Sequence, residues 1–229
     1  MASNKSYIGI SFIILVFGIL VIPKIVERVK NGDIVKADRL NMVEGSGGKA
    51  SGLFTKGKAP DFILTDQNGQ TITNNDYKGK VYALEFFFTT CPTICPKMNA
   101  NMLKLQDAFA GNKNFGLASI TINPDNDTPK VLKEHADLIG VTSANWHMMT
   151  GKRDYIFDLA NKGFNVFAGT LPDNSNGGFE HSGLFALIDK NGYIRSRRDD
   201  SGNPIVYYDG LSPQGIAQLK EDIKILLEE

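Results

Sequence analysis

The chain has 229 residues and carries 25 Lys and Arg against 25 Asp and Glu, so its formal net charge is zero. That balance lacks the basic excess with which a nucleic-acid binder neutralises phosphates, and 42% hydrophobic with 22% charged residues marks a globular chain, neither disordered nor fibrous. Two cysteines exclude a disulfide-rich scaffold and a four-cysteine zinc site.

From Tyr7 to Ile22 the chain reads YIGISFIILVFGILVI, sixteen residues without a charge. A helix crossing a bilayer needs about 20 residues, ~17 at the least, which this run reaches only with Ile25 and Val26. No small-x-small cleavage site follows, because IPKIVERVKN is bulky and charged. A retained single-span transmembrane helix is therefore expected over residues 1–26. Its orientation is contested within the sequence. Lys5 precedes the run, while Lys24, Arg28 and Lys30 follow it, and counting positive charges would leave the rest of the chain in the cytoplasm. Residues 27–56 include GSGGKASG at 45–52 and lack apolar periodicity. They are expected to form a tether, helical at first and then flexible. The globular domain is expected over residues 57–229.

Within that domain strands and helices alternate. DFILTD is a strand, and Asn68-Gly69 a turn before TIT. VYALEFFF (81–88) and FGLASITI (115–122) are near-continuous apolar runs, the mark of strands buried on both faces. Between them a helix is expected from about Ile94 to Ala110. A second helix opens at Thr128-Pro129, WHMMT is a further strand, and a third helix is expected over Lys152–Asn161. LFALID and YIRSRR flank Lys190-Asn191-Gly192 as a hairpin, and GIAQLKEDIKILLEE is an amphipathic C-terminal helix. The order predicts an α/β fold with parallel strands at the centre of the sheet and an antiparallel hairpin at one edge.

Cys91 and Cys95 lie in FFFTTCPTICPKMNANM, where a buried strand ends and a helix begins. Unpaired N–H groups at a helix start favour a thiolate, the form that attacks disulfides and binds soft metals. On a helical turn this spacing places both sulfurs on one face. Two buried apolar cysteines, a structural disulfide and a thiol redox pair remain alternatives. Reactive pairs of the C-x-x-C kind have two intervening residues and this pair has three, which favours metal. Two thiolates suit Cu(I) once one more nitrogen or sulfur joins them. Of the three histidines, His181 is favoured, because it lies in a glycine-flanked loop before an apolar strand. His135, among charges on a helix, reads as a surface residue, and His147, inside a strand, as hydrogen-bonded or solvent-facing. Met98, Met102, Met148 and Met149 read as core filling before they read as thioether ligands.

The segments GKVYALEFFFTTCPTICPKM, TINPDNDTP and HSGLFALID together resemble the Sco/SenC family of membrane-anchored copper proteins, over about residues 57–225. The resemblance implies a thioredoxin-like domain that binds copper, Cu(I) and in some settings Cu(II), through Cys91, Cys95 and His181. It also implies partners: cytochrome c oxidase subunit II, or another copper acceptor whose dinuclear centre the protein helps to fill, and an upstream copper donor. Where the family has D-P-x-x-D-T-P, this chain has Asn123 in place of the first acid and Asp127 in place of the second. The Asn123 departure weakens a Cu(II) role and leaves the Cu(I) reading intact. Asp127 has a second reading as the cap of the following helix.

A site of two thiolates and one imidazole couples copper loading to thiol oxidation, because a disulfide would remove two ligands at once. Such coupling suits an oxidising compartment. It places the domain on the periplasmic side of the inner membrane, or in the intermembrane space if the source is a eukaryote, against the charge count. The main rival is an anchored thiol–disulfide reductase, for which Cys91 and Cys95 are the redox pair and His181 has no evident task. A peroxidase would want an arginine near Cys91, and the sequence has none nearby. A purely structural tethered module leaves the thiols unexplained.

Overall fold

Val81–Phe87 (β4) and Phe115–Thr121 (β5) are buried at every position, as a strand covered on both faces must be. They pair in parallel, and β5 pairs in parallel with Trp146–Thr150 (β6). The computed structural model describes residues 6–30, 52–171 and 175–229. On the far side of β4 lies Leu184–Ile188 (β9), antiparallel to it and joined by a turn to Tyr193–Ser196 (β10). In that turn Gly192 has φ 83° and its N–H donates to the Asp189 carbonyl at 2.9 Å, a backbone region open to glycine at no steric cost.

The hairpin is not the sheet edge that the sequence suggests. Phe54–Lys58 (β1) pairs antiparallel with β10 beyond it. At the opposite end Ile63–Asp66 (β2) pairs with β6, and Thr71–Thr73 (β3) with β2. The sheet therefore runs β1-β10-β9-β4-β5-β6-β2-β3, and the short Tyr208–Asp209 (β11) also pairs with β9. A separate ribbon joins Ala168–Thr170 (β7) to Phe179–His181 (β8).

Three helices of this unit have legible starts. Pro129–Ile139 (α3) is capped by the Thr128 hydroxyl, which accepts from Val131 N–H, and ends at Gly140 with φ 92°. The C-terminal Pro213–Glu228 (α5) is capped in the same way by Ser212. Each carries proline in its first turn, where the missing N–H costs nothing. Cys95–Ala108 (α2) has no side-chain cap at Ile94, a point that matters at the thiols. The expected helix over Lys152–Asn161 is shorter as an α-helix, Arg153–Asp158 (α4), and continues as a π-helical turn over Leu159–Phe164.

The chain divides into two compact units, residues 1–42 and 43–229. In the first, Ser6–Lys30 (α1) is one helix with Pro23 inside it. Ile10, Phe12, Ile13, Ile14, Leu15 and Phe17 along it are 57–68% exposed. Among the described residues no helix is long and apolar enough to cross a membrane. Side chains in α1 are described only over residues 10–24, short of the ~17 residues that a span requires. The span expected over 1–26 is thus not seen as such, and residues 1–5 lie outside the described residues. Of the tether expected over 27–56, residues 31–51 also lie outside them, while β1 opens at Phe54, ahead of the expected domain start at Gly57.

Candidate metal centre

Strand β4 delivers Phe88, Thr89 and Thr90 to the C-terminal end of the sheet, and Cys91 follows at the turn into α2. Cys95 is the first residue of that helix. His181 is the last residue of β8; the sequence suggests a loop there, whereas pairing with Ala168 fixes its backbone. Cys91, Cys95 and His181 are 7%, 2% and 6% exposed, both cysteines are free, and one ligand atom from each lies within 4.8 Å of the others. With metal–sulfur and metal–nitrogen bonds of about 2.3 and 2.0 Å, donors around a three-coordinate ion stand roughly 3.5–4 Å apart. The three atoms fit one soft ion after small side-chain adjustments.

Local chemistry sets which atom of each side chain is presented. His181 Nδ1 lies 3.2 Å from the Ser182 carbonyl oxygen, which can only accept, so Nδ1 carries the proton and Nε2 presents its lone pair. Nε2 is 3.1 Å from Cys95 Sγ. The Cys95 side chain beside it, against the penalty of burial, holds the Cys91 thiol far below the usual thiol range, aided by His181 and by the backbone N–H groups of Cys95 and Thr93. The Cys95 amide belongs to the start of α2, which has no side-chain cap, and Thr93 lies in the turn just before it. Cys95 is pushed the other way by the neighbouring Cys91 sulfur and by burial. The metal-free pair titrates as a unit, with negative charge favoured on Cys91 over Cys95.

Both sulfurs line a cleft of about 350 Å³ together with Pro96, Asn99, Leu103 and His135. His135 is therefore not the surface residue that its charged neighbours suggest. It is half-buried, its Nε2 accepts from Asn99 Nδ2 at 3.0 Å, and burial lowers its pKa while Asp127 opposes that shift. His147 is hydrogen-bonded as its strand position suggests, with Nδ1 3.0 Å from Asp66 Oδ2. Met98, Met102, Met148 and Met149 are fully buried core residues.

Asp127 has a task that the sequence did not reveal. Thr128, not Asp127, caps α3. The Asp127 carboxylate is fully buried and accepts from Thr89 N–H at 3.0 Å, from the Thr89 and Thr121 hydroxyls and from Asn126 Nδ2. It ties the exit of β5 to the segment that leads into Cys91. No periodicity marks such a residue, because its partners lie 38 and 6 positions away. Asn123 is buried at 9% exposure, and its backbone N–H donates to Thr121 Oγ1.

Comparison with known proteins follows the same residues. The family model described as SCO1/SenC matches residues 51–212. A Bacillus subtilis "SCO1 protein homolog" is 36% identical over 105 residues, 45% of this chain and 54% of its own. A Stutzerimonas stutzeri protein described as a putative copper-binding protein is 30% identical over 138 residues, 59% of this chain and 66% of its own. The chain thus spans about half to two thirds of the length of these relatives. Among solved structures, BsSco, described as a Sco-family cytochrome c oxidase assembly protein with a disulfide switch, superposes with a TM-score of 0.61 at 27% identity, covering 74% of this chain and 94% of its own. The likeness gives the domain a thioredoxin-like fold. With its cysteine pair at the strand-to-helix turn and most of its length inside the matched region, this chain belongs to the SCO1/SenC family.

Proposed function

We propose that this chain is a copper-binding assembly factor that holds copper through Cys91 Sγ, Cys95 Sγ and His181 Nε2 and passes it to a copper acceptor of cytochrome c oxidase, subunit II being the expected one. The observation that carries this reading is the convergence of two sulfurs and one lone-pair-presenting imidazole nitrogen, all nearly buried, within 4.8 Å. Thiolates select Cu(I) over harder ions. Three donors leave room for an incoming ligand, so copper can pass by ligand exchange without being released to water. Cys91 supplies its thiolate at little proton cost, Cys95 gives up its proton on binding, and the Ser182 carbonyl keeps the His181 ring in register.

The exposed apolar side chains along α1 support a membrane anchor, and the coupling of copper loading to thiol oxidation supports a domain on the periplasmic side of the inner membrane, or in the intermembrane space of a mitochondrion. The test is an anaerobic Cu(I) titration of the detergent-solubilised chain against a competing chelator, beside H181A and C91S. One copper per chain is expected, weakened at least 100-fold in each variant. Full-strength binding by H181A refutes the three-ligand site.

One observation favours a second reading, a thiol–disulfide reductase. The unequal pair, with a Cys91 thiolate beside a Cys95 thiol, is the arrangement of a nucleophile and its resolving partner. Rapid reduction of a disulfide-bonded peptide to its dithiol, with Cys91 and Cys95 oxidised to a disulfide in exchange, by a chain that binds no copper would put this reading first.

A further inference from the structure

Arg153 opens α4, far in sequence from both cysteines and from His181. Its Nη2 donates to Asp125 Oδ2 in the loop between β5 and α3, and its guanidinium carbon lies 5.5 Å from the centre of the Phe179 ring. Phe179 is on β8, two residues before His181. The contacts continue inward. Phe179 packs on Phe88 at 5.4 Å between ring centres, and Phe88 meets the His181 ring edge-on at 5.8 Å. Phe88 also accepts the Cys91 N–H at its carbonyl, at 3.3 Å. One chain of contacts thus runs from Asp125 through Arg153, Phe179 and Phe88 to the imidazole and to the thiolate turn.

The ribbon that carries His181 makes strand pairs only within itself among the described residues; Asn161 bonds both backbone groups of Ala168 in β7, and on the β8 strand that bears His181 the packing of Phe179 adds to that hold. Arg153 Nε is buried with no acceptor among the described residues. Its own hydrogen bonding would be better satisfied elsewhere, and what holds the guanidinium in place is the carboxylate on one side and the ring on the other. A lysine could not reproduce this, because the planar fork both pairs with a carboxylate and lies against an aromatic face.

We propose that Arg153 is a positioning residue for the metal ligand His181: it clasps the β7–β8 ribbon, through Phe179, to the Asn123–Asp127 loop, and so holds the imidazole against the two sulfurs. This rests on the copper site proposed above. An exposed ion pair adds little and a cation–π contact somewhat more; together they correspond to roughly a tenfold bias toward the clasped ribbon.

The test is Cu(I) affinity of the full chain in detergent, by chelator competition, for wild type, R153Q, D125N, H181A and R153Q/H181A. R153Q is expected to weaken binding about tenfold, and D125N less, because it leaves the contact with Phe179. In the H181A background R153Q is expected to change nothing, since it acts through that ligand. An equal loss from R153Q with and without His181, or no loss with it, overturns the proposal. Amide exchange of the metal-free protein decides independently of copper. R153Q should speed exchange in β7 and β8 and leave the β4 and β5 amides unchanged, and unchanged exchange in the ribbon also overturns it. If wild type binds no Cu(I), the copper reading fails on that result alone, and the exchange experiment still decides the clasp.

Discussion

Glu85 allows a quantitative prediction away from the sulfurs. It sits in the middle of β4, is fully buried, and accepts from Ser119 Oγ at 2.8 Å through Oε1, while Oε2 has no partner among the described residues. Burial, partly offset by the Ser119 bond, pushes its pKa from the ordinary 4.5 up to about 8. The folded pKa lies above the unfolded one, so the unfolded chain releases this proton first. The stability contributed by the protonated group is complete below about pH 4.5 and is lost as pH rises toward 8. At about 1.4 kcal/mol per pH unit across this interval, the loss reaches ~5 kcal/mol, a large fraction of the 5–15 kcal/mol that a domain of this kind possesses. E85Q removes the titration. Its amide adds a buried donor at the Oε2 position, at a pH-independent cost of about 1–3 kcal/mol, so the diagnostic quantity is the difference in slope. Trp146 is the only tryptophan, and its Nε1 donates to Ser119 Oγ, so its fluorescence reports on this network. Urea unfolding between pH 5 and 9 should show wild type losing several kcal/mol relative to E85Q. Parallel curves would refute the burial argument.

Three further outcomes follow from the site. D127N keeps size and shape but cannot accept from Thr89 N–H, both hydroxyls and Asn126 together; it should lower stability by about 2–4 kcal/mol and weaken Cu(I) binding measured by chelator competition, and an unaffected site would show that the Thr89 segment needs no such tie. In the metal-free protein, iodoacetamide should modify Cys91 well below pH 7 and leave Cys95 largely intact, as peptide mass analysis would reveal; equal modification of the two would contradict the unequal sharing of their proton. If α1 is an anchor, the full chain should resist alkaline carbonate extraction from membranes and a chain lacking residues 1–50 should not, whereas release of both would remove the anchor from the proposal.

The sequence and the structure part company where a long-range contact, rather than a local pattern, decides the outcome. The two runs at 81–88 and 115–122 are apolar at almost every position, which only a strand covered on both faces tolerates, and β4 and β5 lie accordingly at the centre of the sheet. β1 has no such signature. Its residues FTKGK alternate poorly and are mostly half-buried, so they look like tether until β10 offers them an edge. The thiol turn was legible because its chemistry depends on position along the chain: a buried strand, a turn and a helix start put Cys91 on unpaired amides whatever the rest of the fold does. The third donor depends on the opposite kind of information. His181 meets Cys95 across 86 positions, on a ribbon too short to show periodicity, and the residues that hold it there, Arg153 and Phe179, carry no motif at all. Asp127 is the sharpest case. Beside a threonine-proline helix start it has the local appearance of a cap, yet Thr128 performs that role with its own hydroxyl, and the carboxylate is turned inward to bind the backbone two residues before Cys91. A sequence pattern thus points to the candidate donors that would bring reactivity, and the fold supplies the groups that bring them into range; under the proposed copper site, it is in the second class that substitutions should alter copper affinity without touching a proposed ligand.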